Sequence, residues 1–196
     1  MKFIIATNNA KKLAELERIL KPLGIDAVSA KDAGVNLAEV EETGKTFAEN
    51  AYLKAYAAFK STGLPAIADD SGLSVNVLDG RPGVYSARYC GENASDEDRY
   101  KKILEEMSGI DDSNRGAYFT SAICCVLSDN EKIEVEGICN GTIAYEPYGN
   151  GGFGYDSIFM YGDKSFAELT SEEKDAISHR GIALRKLQEE LKKHLG

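Results

Sequence analysis

Phe3-Ile4-Ile5-Ala6-Thr7-Asn8-Asn9-Ala10-Lys11-Lys12-Leu13 is the stretch whose reading decides the fold. Four apolar residues in a row, Phe3 to Ala6, read as a buried strand. Thr7-Asn8-Asn9 breaks it. Leu13, Leu16, Ile19 and Leu20 then recur at helical spacing, until Pro22 and Gly24 stop the helix. Strand, polar loop and helix make the opening half of a βαβ unit. Such a loop is a natural anion site, because unpaired backbone N–H groups point outward at a helix start. Thr7 and Asn9 add side-chain donors and Lys12 a positive charge. Ordinary N-capping by Asn9 with solvated lysines explains the same residues. The GxxxxGK[ST] spacing is absent, which disfavours a P-loop nucleotidase.

Working outward, a second strand is expected over 25–28, followed by an acidic, irregular stretch over 32–45. Thr46 and Glu49 form a capping box that opens a helix running to about Lys60. Gly63 and Pro65 end it. Ala66-Ile67-Ala68 reads as the next strand, ending in Asp69-Asp70-Ser71-Gly72. Two adjacent carboxylates repel and cost folding energy unless a cation or a chemical role compensates. Mg²⁺, a hard cation that prefers carboxylate oxygens, is the simplest compensator. An acidic turn accounts for the same four residues.

Residues 73–88 are rich in Gly and Val, with turns at Asp79-Gly80 and Pro82-Gly83. Ser95 caps a helix over 96–107. Strands over 116–127 and 132–142, joined by Ser128-Asp129-Asn130, look like a long hairpin. A glycine-rich loop at 149–154 precedes a strand at 157–160. Thr170 and Glu173 form a second capping box. The last helix starts near Ser178 and carries Ile182, Leu184, Leu187, Leu191 and Leu195 inward. The expectation is an α/β fold: a twisted mixed sheet flanked by helices, in two lobes around a central substrate cleft, with residues 1–196 forming a single domain.

The 196 residues can bury a substantial core without staples. The net charge of −9 argues against a nucleic-acid or anionic-membrane surface. Four cysteines without a CxxC pair argue against zinc binding and a disulfide framework, and Cys124-Cys125 would face opposite sides of a strand. The start is too short for a signal peptide and no long apolar span follows, so a reducing cytoplasm is expected.

Three further segments offer chemistry. Glu39-Val40-Glu41-Glu42-Thr43 is a solvated acidic loop, or it folds over Asp70 and supplies a second magnesium ligand. In Gly151-Gly152-Phe153-Gly154-Tyr155-Asp156, glycines flanking an aromatic let backbone approach a flat ligand. A base stacks on Phe153 and gives a ring N–H to Asp156, or the aromatics simply enter the core. Lys174 and Ser178-His179-Arg180 complete the set, Ser178 fitting an N-cap.

Taken in order, Thr7-x-Asn9-x-x-Lys12, Glu41-Glu42-Thr43-Gly44, Phe47-x-Glu49-Asn50-Ala51, Lys54, Ala68-Asp69-Asp70-Ser71-Gly72-Leu73, Pro82-Gly83-Val84-Tyr85-Ser86-Ala87-Arg88, Gly152-Phe153-Gly154-Tyr155-Asp156 and Ser178-His179-Arg180 resemble the inosine triphosphate pyrophosphatase family over nearly the whole chain. The resemblance implies hydrolysis of deaminated purine nucleoside triphosphates (ITP, dITP, XTP) to the monophosphate and pyrophosphate, with Mg²⁺, by a cytoplasmic homodimer. It implies Asp70 as general base and metal ligand, with Glu41 as the second carboxylate at the metal and Glu42 as the alternative. Thr7, Asn8, Asn9, Ala10, Lys11, Lys12 and Lys54 would hold phosphates, and Ser71 would contact substrate. Phe153, Gly154, Tyr155, Asp156, Lys174, His179 and Arg180 would enclose base and sugar. Asn8 stands where the family often has glycine, and Ser157 where it often has proline. Maf-like pyrophosphatases of other modified nucleotides, and a nucleotide sensor without catalysis, are the rival readings.

Overall fold

The computed structural model describes residues 2–91 and 93–195, with every side chain among them except those of Leu23 and Leu195. In chain order the strands are β1 (Lys2–Ile5), β2 (Asp26–Ser29), β3 (Ala66–Val75), β4 (Gly116–Ser128), β5 (Glu131–Ile143), β6 (Phe159–Tyr161) and β7 (Lys164–Ser165). The helices are α1 (Ala10–Leu20), α2 (Phe47–Thr62), α3 (Asp96–Glu106), α4 (Ser171–Ile177) and α5 (His179–Leu195). Among the described residues the sheet order is β2-β1-β3-β4-β5-β6-β7. β1 runs parallel to β2 and β3, whereas β6 is antiparallel to β5 and β7, so the sheet is mixed and the fold is α/β, as expected. Among the described residues no helix is long and apolar enough to cross a membrane.

The chain divides into two compact units. One comprises Met1–Asp70, Ser121–Gly137 and His179–Gly196, and the other Ser71–Thr120 and Ile138–Ser178.

In the first unit the alternation of strand side chains sorts the core into two layers. Phe3, Ile5 and Ile67 pack with Leu16 and Leu20 of α1 and with Ala183, Leu184, Leu187 and Leu191 of α5. Ile4, Ala6, Ala66 and Ala68 pack on the opposite face with Ala51, Ala55 and Ala58 of α2. β1 is covered on both faces, which is why it reads as an unbroken apolar run. Each fully buried Leu, Ile or Phe here contributes roughly 1.5–3 kcal/mol. Cys124 and Cys125 fall in opposite layers, as the strand period requires. On α5, Ala183 is buried where Ile182 was expected to lead, and Ile182 is half-buried. The Leu195 side chain, also expected inward, lies outside the described residues. Gly137 of β5 lets α5 approach: a Cβ there would sit 2.6 Å from Ala183 N.

Local signals set the helix limits. Asn9 caps α1, and Gly24 closes the following turn in a left-handed conformation (φ 69°). Thr46 and Glu49 form the expected capping box of α2, and Thr170 and Glu173 that of α4. β3 departs from expectation. It does not stop at Ala68 but runs ten residues to Val75, straight through Asp69-Asp70-Ser71-Gly72. The acidic-turn reading is therefore replaced by a buried strand carrying two carboxylates.

In the second unit Leu73, Val75, Phe119, Ile143, Tyr155, Phe159 and Phe166 belong to one core. Phe159 is its hub, with ring centroids 4.6 Å from Phe119 and 4.8 Å from Phe166. Arg115 is buried, and its guanidinium donates to the carbonyls of Ile143 (2.7 Å), Ala144 (2.7 Å) and Ile110 (3.0 Å). A buried charge spread over several carbonyls keeps its hydrogen bonds while stitching the exit of α3 to the end of β5.

Candidate active site

In the first unit Asp69 and Asp70 leave β3 on opposite faces, as adjacent strand residues must. Asp69 shares the face of Ile67 and meets α1 and α5. Its Oδ2 lies 2.8 Å from Lys12 Nζ and 3.3 Å from Arg180 Nη2, and its Oδ1 accepts from the Ser121 hydroxyl. Arg180 also pairs with Glu15 of α1. Burial alone would raise the Asp69 pKa, but Arg180, Lys12 and Ser121 together hold it well below the usual carboxylate range. Burial lowers the Lys12 pKa, outweighing Asp69; burial also works against the Arg180 charge, yet Asp69 and Glu15 push its pKa up. Glu15–Arg180–Asp69–Lys12 is thus a buried chain of alternating charges. His179 and Arg180, at the start of α5, are both buried, 4% and 2% exposed.

Asp70 shares the face of Ala68 and meets α2. Its Oδ1 lies 3.1 Å from Lys54 Nζ, and its Oδ2 accepts from Asn50 Nδ2 at 3.2 Å. Burial raises the Asp70 pKa. Lys54 and Lys12 oppose that rise, while Glu42 and Asp69 add to it. Lys54 reaches Glu42 Oε1 as well, at 3.2 Å, and donates to the Asp69 carbonyl at 3.0 Å. Burial works against the Lys54 charge, yet Asp70, Glu42 and Asp69 raise its pKa. Asn50 is fully buried and fixes the acidic loop from the other side, its Oδ1 accepting the Gly44 N–H at 2.8 Å. A Cβ on Gly44 would stand 2.5 Å from that oxygen, so only glycine fits.

The acidic loop therefore folds toward Asp70, and the carboxylate it brings beside Lys54 is that of Glu42. Glu41 is exposed. Asp70 and Glu42 offer hard oxygen donors around a single ammonium, which suits a divalent cation such as Mg²⁺. Among the described residues no group of three or more His, Cys, Asp or Glu could hold a metal, so water and substrate oxygens would complete its shell, as they commonly do for Mg²⁺.

The 7–12 loop is open to solvent from Asn8 to Lys11. Asn9 Oδ1 accepts the N–H groups of Lys11 (3.0 Å) and Lys12 (3.2 Å), so Asn9 does cap the helix. Asn8 makes no use of left-handed backbone: among the described non-glycine residues only Asp79 has positive φ.

In the second unit Asp156 Oδ2 takes the Phe153 N–H and Lys174 Nζ, both at 2.8 Å. Lys174 Nζ stands 4.8 Å from the Phe153 ring centroid. Lys174 and Asp156 are buried, while Phe153 and Gly154 are half-buried. Tyr155 enters the core and donates its hydroxyl to Ser86 O at 2.8 Å. Ser71 continues β3, half-buried. Glu15 and Ser121 were not singled out from sequence. Only Glu15 left a local trace, one helical turn after Lys12.

The Ham1 family model matches residues 3–190. The chain belongs to the Ham1 family. A Bacillus subtilis relative named dITP/XTP pyrophosphatase is 50% identical over 186 residues, covering 94% of this chain and 93% of the relative. One of the same name from Streptomyces coelicolor is 48% identical over 199 residues, covering 100% of this chain and 99% of the relative. The solved structure of a HAM1 protein from Coxiella burnetii superposes with a TM-score of 0.89 at 44% identity, covering 98% of this chain and 99% of that one. The family resemblance and the α/β fold expected from the motifs are thereby borne out for this Ham1 chain.

Proposed function

We propose that this chain hydrolyses deaminated purine nucleoside triphosphates, dITP, ITP and XTP, to the monophosphate and pyrophosphate. The observation that carries the reading is the sharing of one half-buried ammonium, Lys54, by Asp70 and Glu42 while the adjacent Asp69 is committed to Lys12 and Arg180. The names of relatives about half identical over nearly the full length support the substrate.

In this reading water attacks the α-phosphorus, the bond to the bridging oxygen of the β-phosphate breaks, and pyrophosphate leaves. Asp70 orients the water and accepts its proton; Asn50 and Lys54 hold the carboxylate in place. Asp70 and Glu42 would hold Mg²⁺, which would supply neutralisation of phosphate charge. Lys12, Lys54 and the 7–12 loop bind phosphates, offsetting charge that grows on the leaving group. Ser71, His179 and Arg180 are assigned to the nucleoside.

Base choice rests on donors. Hypoxanthine presents a 6-oxo acceptor, and adenine a 6-amino donor. Lys174, an ammonium with donors only, beside Phe153, favours the oxo edge. A mismatch of this kind in a buried polar site rejects a substrate by a large factor, on the order of 10⁴. The enzyme is assigned to the cytoplasm as a homodimer, and exposed Tyr85, Tyr145 and Tyr161 of the second unit supply apolar surface for pairing. Pyrophosphate release from dITP with added Mg²⁺ tests the reading. Turnover that needs Mg²⁺ and strongly prefers dITP over dATP supports it; binding without turnover favours the sensor instead.

A further inference from the structure

Gly152 and Gly154, on either side of Phe153, lie at φ 67° and 64°. Glycine reaches that region without strain but loses the most freedom when ordered. Contacts from elsewhere in the second unit hold the loop. The Gly151 N–H donates to Ala167 O at 3.0 Å, and the Tyr155 hydroxyl to Ser86 O at 2.8 Å. The Gly154 N–H donates to Asp96 Oδ2 at 2.8 Å, across 58 residues of sequence. Lys174 ties the loop at Asp156 Oδ2 (2.8 Å), and Asp96 is the charged side chain that holds the Gly154 amide; a charge-assisted bond is roughly twice as strong as a neutral one. Asp96 is itself oriented: it is the first residue of α3, which Ser95 caps, and its Oδ1 accepts from Arg99 Nη1 at 2.8 Å.

We propose that Asp96 is a positioning residue for nucleobase recognition, holding the Gly154 amide and, through it, the Phe153 ring one residue earlier. The proposal rests on the reading that this loop takes the base. It separates binding from chemistry: Asp96 acts on substrate affinity and leaves the reaction at Asp70 alone. An asparagine at 96 keeps an oxygen for Gly154, whereas alanine removes it. Serine keeps a polar helix start and is too short to reach Gly154.

The test is steady-state kinetics with dITP for wild type, Asp96→Ala, Asp96→Ser, Asp96→Asn and Phe153→Ala, together with hydrogen exchange at the Gly154 amide. Asp96→Ala and Asp96→Ser are expected to raise KM about tenfold with kcat within about twofold, the cost of one lost charged hydrogen bond. The Gly154 amide exchanges faster in both. Asp96→Asn is expected to restore slow exchange and most of the affinity. If Phe153→Ala raises KM while Asp96→Ala and Asp96→Ser do not, the Asp96 assignment is wrong and the base-loop reading stands. If Phe153→Ala itself leaves KM unchanged, the base-loop reading fails and takes the proposal with it. A fall in kcat at constant KM, or no rescue by asparagine, also overturns the proposal.

Discussion

Asp69 and Asp70 are consecutive residues of one strand whose carboxyl groups are pushed in opposite directions, Asp69 well below its ordinary pKa and Asp70 above it. Strand alternation causes the split: one side chain falls among Lys12, Arg180 and Ser121, the other beside Lys54 and Asn50. Environments that drive two neighbouring carboxyls apart assign them different work.

Asp69 carries a structural load. Asp69→Ala leaves Lys12 and Arg180 buried without their shared anion, which costs about 3–5 kcal/mol. Urea denaturation should show that loss. A variant as stable as wild type would mean that the charged chain is not a unit.

Asp70 carries the chemistry. Asp70→Asn should lower turnover by about 10²–10⁴-fold, the range for losing a general base. The far-ultraviolet circular dichroism spectrum should be unchanged, because β3 is held by Asp69 and the alanine core around Ala68. A folded variant of near wild-type activity would remove Asp70 from the reaction.

Gly44→Ala tests the coupling of the acidic loop to Asp70. Its Cβ would crowd Asn50 Oδ1 and Glu49 Cβ, at 2.5 and 2.7 Å. Overpacking costs about 1–3 kcal/mol. Because Asn50 also holds Asp70, kcat should fall along with the melting temperature. A stability loss with unchanged kcat would uncouple the two.

Alkaline stability should depend on Tyr89. Burial, with a 2.6 Å hydrogen bond to Glu106, pushes its phenol up to about 12. An unfolded tyrosine titrates near ~10. The native state then holds the proton more tightly, so this contribution is complete below the unfolded value and is lost as pH rises through the folded one. Tyr89→Phe should flatten the stability profile in that alkaline window, and a phenolate absorbance titration should lack a matching late step. An unaltered profile would contradict the assignment.

Much of the fold was legible because its signals are local. The β1–loop–α1 unit and the Thr46/Glu49 and Thr170/Glu173 boxes depend on residues three or four apart. The length of β3 was not legible, because Asp69 and Asp70 become tolerable in a buried strand only through Lys12, Lys54, Ser121 and Arg180, partners spread across the chain. The resemblance put Glu41 at the metal with Glu42 as the alternative, and only the path of the loop sets Glu42 beside Lys54. Asp96 left no trace in its own neighbourhood, since what it holds lies 58 residues away.

The most direct measurement is turnover of dITP in heavy-oxygen water with Mg²⁺, following label and products together. Attack on the α-phosphorus predicts equimolar deoxyinosine monophosphate and pyrophosphate, with the heavy oxygen in the monophosphate. Orthophosphate with the diphosphate, or label in the pyrophosphate, would contradict it.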